Sequence, residues 1–194
     1  RYKGDKKMEF KSKIKTIEWV DTYSKMVDQT VIPYEYKFVN ITSGHEMFDA
    51  IRNMIVRGAP AIGIAGAHGV ILYAQELAGE NLSRGEFVQK LIAKAEYMKT
   101  SRPTAVNLMW ACEKQIEVIR NSKSDIKGII EELKVNGIKL ENEDIEINKK
   151  IGDFGAEVVP KGATILTHCN AGALATVGYA VSYTHLTLPT NREV

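Results

Sequence analysis

The chain has 194 residues, of which 44% are hydrophobic and 26% are charged, and its formal net charge is +2. These values are ordinary for a globular protein, and so small a charge argues against binding to nucleic acid or to an anionic membrane surface. Two cysteines, Cys112 and Cys169, are too few for a disulfide framework, so we expect a reducing, cytoplasmic environment.

Residues 1–13 form a basic leader that lacks the apolar core of a signal peptide, and we expect this leader to carry no regular structure. Met8 within it is a candidate translation start. No apolar run farther along approaches the roughly 18 residues of a membrane span. The sequence therefore predicts a chain that makes no membrane contact.

The first predicted elements are short strands within residues 16–40, where β-branched and aromatic residues are concentrated. Pro33 interrupts this region, so the sheet should be small. A helix should follow, because Ser43 and Glu46 form a capping box and apolar residues recur behind them at helical spacing. Gly58 is predicted to end this helix.

The next helix is unusual in its glycines, which fall three residues apart at Gly63, Gly66 and Gly69. An interior glycine costs a helix about 1 kcal/mol relative to alanine, so three of them on one face indicate that another backbone packs closely there. The face could serve packing inside the domain or between subunits. A further helix should begin at a second capping box, formed by Ser83 and Glu86.

Residues 14–159 as a whole are predicted to be a mainly helical N-terminal domain with a small sheet. Its last part should contain two polar helices, near 125–136 and 141–157. The pattern changes in residues 160–179, where a turn, a short apolar strand and a small-residue helix beginning near Ala171 are expected. This order is typical of the start of a doubly wound α/β domain, whose ligands bind at the carboxyl ends of the strands.

The segment THCNAG places Cys169 at that position, directly after the predicted strand and before the predicted helix. A helix N-terminus would increase the reactivity of a nearby thiol. Most free cysteines are small buried hydrophobic residues instead. Position alone leaves both interpretations of Cys169 open.

Two arginines occupy similar positions in the sequence. Arg57 lies between two predicted helices, next to Gly58 and Ala59, and Arg102 lies in a break before Pro103 and a new helix. A guanidinium beside the free N–H groups of a helix N-terminus can bind a phosphate. Taken singly, each arginine is better explained as a helix cap or a solvated loop residue. Together with the cysteine segment, they favour a phosphorylated small-molecule ligand.

Other candidate residues have ordinary explanations. His45 is predicted to lie on the surface, His68 in the core, and Asp28 in a turn or cap. No group of His, Cys, Asp and Glu has the spacing of a metal site, and the sequence contains no P-loop and no nucleophile elbow.

Four segments, in the same order and at similar separations, resemble the family of methylthioribose-1-phosphate isomerases and of the regulatory subunits of the exchange factor for translation initiation factor 2. They are VDQTVIP, MIVRGAPAIGIAGAHGV, SRPTAVNLMWA and ILTHCNAGALATVGY. The resemblance extends from about residue 14 to Tyr179. It implies that a Rossmann-like domain begins near residue 160.

The resemblance also implies an activity, the aldose–ketose isomerisation of 5-methylthioribose 1-phosphate to 5-methylthioribulose 1-phosphate in methionine salvage. It implies no cofactor or metal, and a homodimer in the full-length protein. It assigns substrate binding to Arg57, Gly58, Ala59 and Arg102, and catalysis to Cys169.

The segment 180–194 matches nothing expected of the family, and we interpret it as a tail of other origin. The resemblance places an acid/base aspartate, a glutamine and an Asn-Lys pair beyond Tyr179 in family members. We therefore expect the 194-residue polypeptide to carry part of an active site and to lack isomerase activity alone.

Two alternatives remain open. Related enzymes of the same family could act on 5-deoxyribose 1-phosphate or on ribose 1,5-bisphosphate. A regulatory subunit would have no catalytic activity at all, although it would have no need to keep Arg57, Arg102 and Cys169 together.

Overall fold

A computed structural model describes residues 15–160, 163, 164, 166 and 168–179 of the chain. The leader 1–13 and the tail 180–194 lie outside the described residues, so the interpretations of both segments stay predictions.

A three-stranded antiparallel sheet opens the described chain, as predicted for residues 16–40. Its strands follow one another in the order β1 (Ile17–Val20), β2 (Tyr23–Val27) and β3 (Phe38–Ile41). Ile17 pairs with Met26 across the first ladder, and both side chains are fully buried. The sheet therefore covers one side of the helical core.

Five α-helices follow the sheet: α1 (Gly44–Arg52), α2 (Ala59–Ala78), α3 (Arg84–Lys99), α4 (Val106–Asn121) and α5 (Ile126–Val158). The predicted capping boxes begin α1 and α3, with Ser43 accepting from the N–H of Glu46 and Ser83 from that of Glu86. The prediction that Gly58 ends the first helix is wrong. Helix α1 ends six residues earlier, and Gly58 is instead the N-cap of α2.

Helix α2 is the central element, and α1, α3, α4 and α5 all pack against it. By length and composition α2 could cross a membrane, but it is almost entirely buried inside the fold, as expected for a core helix. The predicted close packing at its glycines is present. A Cβ on Gly63 would lie 3.0 Å from the carbonyl oxygen of Asn107, and one on Gly66 would lie 2.4 Å from Leu108 Cδ1. The glycine face thus receives α4 from within the same chain.

The two polar helices predicted near 125–136 and 141–157 are a single helix of 33 residues, α5. The gap between the two predicted helices begins at Gly137. This glycine sits in the core, where a Cβ would lie 2.9 Å from Ile71 Cδ1. Close packing against α2 offsets the low helix propensity of glycine. The second half of α5 presents an exposed apolar stripe, formed by Ile147, Ile151, Phe154 and Val158.

The described residues of 160–179 contain no strand, and the predicted α-helix from Ala171 is absent. Only a short 3₁₀ helix, Ala173–Ala175, is present, and its N-cap Gly172 has a φ of 80°. The predicted α-helix is absent because the carbonyls of this segment bond to the helical domain instead. Thr16 Oγ1 donates to the Ala173 carbonyl at 2.6 Å, and Gln29 Nε2 donates to the Leu174 carbonyl at 2.8 Å. No parallel sheet occurs within the described residues.

Two further contacts fix this segment to the domain. The N–H of Val177 donates to Asp144 Oδ2 on α5 at 2.9 Å, and the carbonyl of Val177 accepts from the N–H of Thr16 at 2.7 Å. A Cβ on Gly58 would lie 2.0 Å from Cα of Ala175. Glycine is therefore required at the start of α2 because the backbone of Ala175 passes directly over it.

We predict that Gly58→Ala displaces the 173–179 segment. Gly58 has a φ of −71° and a ψ of 140°, which alanine adopts readily, so the substitution acts through the clash with Ala175. Overpacking of this kind costs about 1–3 kcal/mol. Amide hydrogen exchange should accelerate in 173–179 and stay slow in α2.

The matched control is Gly85→Ala in α3, where a Cβ would meet no atom within 4 Å. This substitution should leave exchange in 173–179 unchanged and slightly stabilise the helix. Unchanged exchange of 173–179 in both variants would contradict the packing described at Gly58.

A pH dependence should arise at Asp144. Burial raises the pKa of this carboxyl, and hydrogen bonds from the Val177 N–H and from Asn148 oppose the shift. The folded protein therefore binds the proton more tightly than the unfolded chain, whose aspartates titrate near pH 3.9. The contribution of Asp144 to the free energy of unfolding must fall as the pH rises from that value through the folded pKa.

Urea unfolding of the native chain and of Asp144→Asn between pH 4 and 7 measures this contribution. The free energy of unfolding of the native chain minus that of the variant should decrease with rising pH and then become constant. A difference that increases with pH would mean that the hydrogen bonds outweigh the burial.

Candidate active site

The N-terminus of α2 is the first part of the candidate site. Gly58 provides no side-chain cap, so the N–H groups of the first turn have no partner from a capping side chain. These groups and the helix dipole favour an anion at this end. Ala59 is the first helical residue and is exposed.

Arg57 lies immediately before this helix end, with an exposed side chain. Its Nε donates to the Met54 carbonyl at 3.4 Å, at the outer limit of a hydrogen bond. Taken singly, Arg57 was better explained as a helix cap, but Met54 lies beyond the end of α1, in the turn that follows it. The long contact leaves the guanidinium free to bind a ligand at the N-terminus of α2.

The cysteine loop, residues 168–177, reaches this helix end, where Ala175 passes over Gly58. Cys169 is exposed, and its backbone has a φ of 68°. Residues other than glycine rarely adopt this left-handed conformation, and where they do, the strain is often associated with function. Within the described residues, Cys169 is thus not packed in the core.

Arg57 and the cysteine loop share one cavity of about 170 Å³. Three of its lining residues are polar and three are apolar: Gln29, Arg57 and Asn170, with Ile32, Ala171 and Leu174. Asn170 directly precedes the α-helix predicted from Ala171, which does not form, and it lines this cavity. Arg57 and the cysteine loop therefore line one cavity, and Gly58 lies against Ala175 of the same loop, while the assignment of these residues to substrate binding and catalysis stays a prediction.

Arg102 does not line this cavity. It lies in the break between α3 and α4, and its Nη1 is buried without a hydrogen-bond partner among the described residues. The contact between Gly63 and Asn107 places the start of α4 beside the first turns of α2. Arg102 is thus on the same side of the domain as the N-terminus of α2. A buried guanidinium nitrogen without a partner fits a role in anion binding.

A buried cluster of Ser24, His68 and Glu141 has a structural role. His68 is completely buried, as predicted, with Nδ1 2.9 Å from Ser24 Oγ and Nε2 2.9 Å from Glu141 Oε1. The second contact lacks hydrogen-bond geometry, and Glu141 Oε1 accepts instead from the N–H of Trp19. A substrate cannot reach this Ser-His-Glu cluster, so the cluster joins the sheet to α2 and α5.

The two cysteines differ sharply in environment. Cys112 is fully buried on α4, and burial raises the pKa of its thiol to about 12, so it carries no thiolate at neutral pH. Cys169 is exposed and directly precedes Asn170, which lines the cavity. Within the part of the chain that the structure describes, no three His, Cys, Asp or Glu side chains are grouped as metal ligands would be.

Sequence reasoning missed Gln29, which lines the cavity and bonds to the cysteine loop. Its charged neighbour Asp28 was predicted to lie in a turn or cap. Asp28 Oδ1 accepts from the N–H and the hydroxyl of Thr30 and so forms the predicted turn. The available signal was the segment VDQTVIP, one of the four that carry the family resemblance.

Proteins named methylthioribose-1-phosphate isomerase are similar to this chain. The one from Geotalea uraniireducens is 44% identical over 169 residues, which are 87% of this chain and 48% of the relative. The one from Thermosipho africanus is 42% identical over 172 residues, 89% of this chain and 49% of the relative. The chain thus spans about half the length of these curated relatives.

Two solved structures share the fold. The 5-methylthioribose 1-phosphate isomerase from Pyrococcus horikoshii matches with a TM-score of 0.79 and 38% identity, over 87% of this chain and 47% of that one. The delta subunit of translation initiation factor eIF-2B from A. fulgidus matches with a TM-score of 0.75 and 36% identity, over 87% and 49%. A protein named as an isomerase and one named as an initiation factor subunit therefore share this architecture.

A family model matches residues 55–186, which include Arg57, the glycine helix α2, Arg102 and the cysteine loop. The match covers more than half of the chain. With the fold and the arrangement at the N-terminus of α2, it shows that the chain belongs to the initiation factor 2 subunit family.

Proposed function

We propose that this chain is the N-terminal part of a methylthioribose-1-phosphate isomerase, which converts 5-methylthioribose 1-phosphate to 5-methylthioribulose 1-phosphate. The observation that carries the proposal is the meeting of Arg57 and the cysteine loop around one cavity at the N-terminus of α2. The identity of more than 40% to proteins of that name supports this choice of reaction.

The chemistry needs the residue types found here. A phosphate on C1 holds the sugar as a closed acetal, so the enzyme must open the ring before hydrogen moves from C2 to C1. Arg57, Arg102 and the first N–H groups of α2 would hold the phosphate, which stays on C1 throughout the reaction. Cys169 would act at C1 or C2. A general acid for the ring oxygen is also required.

The complete protein should contain a second, Rossmann-like domain that supplies the acid/base aspartate and closes the site. Two observations support this proposal: the chain spans about half the length of its curated relatives, and the apolar stripe on the second half of α5 is exposed. The second domain would cover this stripe. We expect the complete protein to be a cytoplasmic homodimer.

Joining residues 15–179 to the second half of the Geotalea uraniireducens relative tests the function. The joined protein should convert 5-methylthioribose 1-phosphate, and Cys169→Ser should lower kcat by about 100-fold or more, the scale of losing a group that acts in the chemical step. Arg57→Ala should mainly raise KM, because it removes a phosphate ligand. Cys112→Ala is the matched control and should leave kcat unchanged.

Full activity of Cys169→Ser would remove the cysteine from the mechanism. Faster turnover of 5-deoxyribose 1-phosphate or ribose 1,5-bisphosphate would instead assign one of the related isomerases. A folded joined protein that turns over none of the three sugars would favour a regulatory subunit, for which the similarity to the A. fulgidus delta subunit is the supporting observation.

A further inference from the structure

We propose that Gln29 is a positioning residue that sets the distance between the arginine and the cysteine of the candidate active site. This inference rests on the proposed function for its kinetic consequence. Its structural content, a link between two loops through one residue, is independent of the reaction.

Gln29 bonds to one loop through its backbone. Its N–H donates to the carbonyl of Ile55 at 3.0 Å, two residues before Arg57. The N–H of Ile55 in turn donates to the carbonyl of Ala50 in α1. The loop 53–58, which carries Arg57, is thus attached to the helical core. A side-chain substitution at Gln29 leaves this attachment intact.

Gln29 bonds to the other loop through its side chain. Nε2 donates to the carbonyl of Leu174 at 2.8 Å, across 145 positions of sequence. Leu174 lies in the 3₁₀ helix that follows Cys169 and Asn170. Gln29 is 94% buried, and it lines the cavity beside Arg57. Its side chain is therefore held in place by the residues packed around it.

A second donor acts on the same turn, because Thr16 Oγ1 bonds to the carbonyl of Ala173. The two differ in position: Thr16 lies at the start of the sheet, whereas Gln29 lies between the two loops of the site. Loss of the Gln29 bond should therefore move the cysteine loop relative to Arg57 while the segment stays bound at Thr16. A shift of about 1 Å in a reacting group can reduce turnover by about 100-fold.

The substitution Gln29→Met removes the donor and keeps the length of the side chain. Gln115→Met is the matched control, since Gln115 is also a buried glutamine whose Nε2 donates to two carbonyls, those of Ala67 and Leu133, away from the site. In the 194-residue chain, exchange of the amides of Ala175 and Val177 should accelerate about tenfold or more in Gln29→Met. It should be unchanged in Gln115→Met, even if that variant unfolds at a lower temperature.

In the joined protein, Gln29→Met should lower kcat by about 10- to 100-fold with KM changed less than about threefold, as expected for misplacement of a reacting group. Gln29→Glu distinguishes a role as hydrogen-bond donor from a role in packing alone. Its ionised carboxylate cannot donate to the Leu174 carbonyl, but the protonated acid can. The ratio of variant to native kcat should rise as the pH falls, whereas the ratio for Gln29→Met should not vary with pH.

Exchange of Ala175 and Val177 at the native rate in Gln29→Met would overturn the inference, whatever the kinetics show. Accelerated exchange with native kcat would equally overturn it, because the link would then have no effect on the reaction. If the native joined protein has no isomerase activity, the proposed function fails, and exchange alone decides whether Gln29 links the two loops.

Discussion

The burial of α2 on all sides is the constraint on which the other features depend. Four helices and the sheet surround this helix, so its surface must be small wherever a neighbour comes close. Gly63 and Gly66 allow α4 to approach, and α4 brings the Arg102 break to the N-terminal end of α2. The same end carries Arg57. The packing of the core therefore determines where the two basic residues lie, before any ligand is considered.

The two halves of the candidate site are held by different forces. The N-terminus of α2 is fixed by apolar burial along the whole helix, which is the larger and less directional contribution. The cysteine loop is held by hydrogen bonds that Thr16 and Gln29 donate to it and that Asp144 accepts from it, together with the contact between Gly58 and Ala175. Each such bond is worth only about 1 kcal/mol net. The position of Cys169 can thus change without disturbing the position of Arg57.

This difference explains which features the sequence predicts. The capping boxes of α1 and α3 depend on residues three positions apart, so local reasoning finds them. The continuity of α5 through Gly137 depends on Ile71, and the turn at 173–175 depends on donors about 150 residues away. Hydrophobic periodicity carries no information about such partners. The family resemblance assigned Arg57 and Cys169 to the site where their neighbours alone left the role open, whereas Gln29, an uncharged residue in a short loop, has no local signature of its role.

The contact between Thr16 and Val177 joins the two ends of the described chain. Ile17 begins the edge strand β1 and Thr16 directly precedes it, and the N–H groups of both donate to the carbonyl of Val177. On the ribosome, β1 leaves the exit tunnel long before Val177 is made, at a synthesis rate of about 5–20 residues per second. The start of β1 consequently stays uncovered for several seconds in every nascent chain. Exposed strand edges pair readily with other chains, so the start of β1 is open to such pairing during this interval.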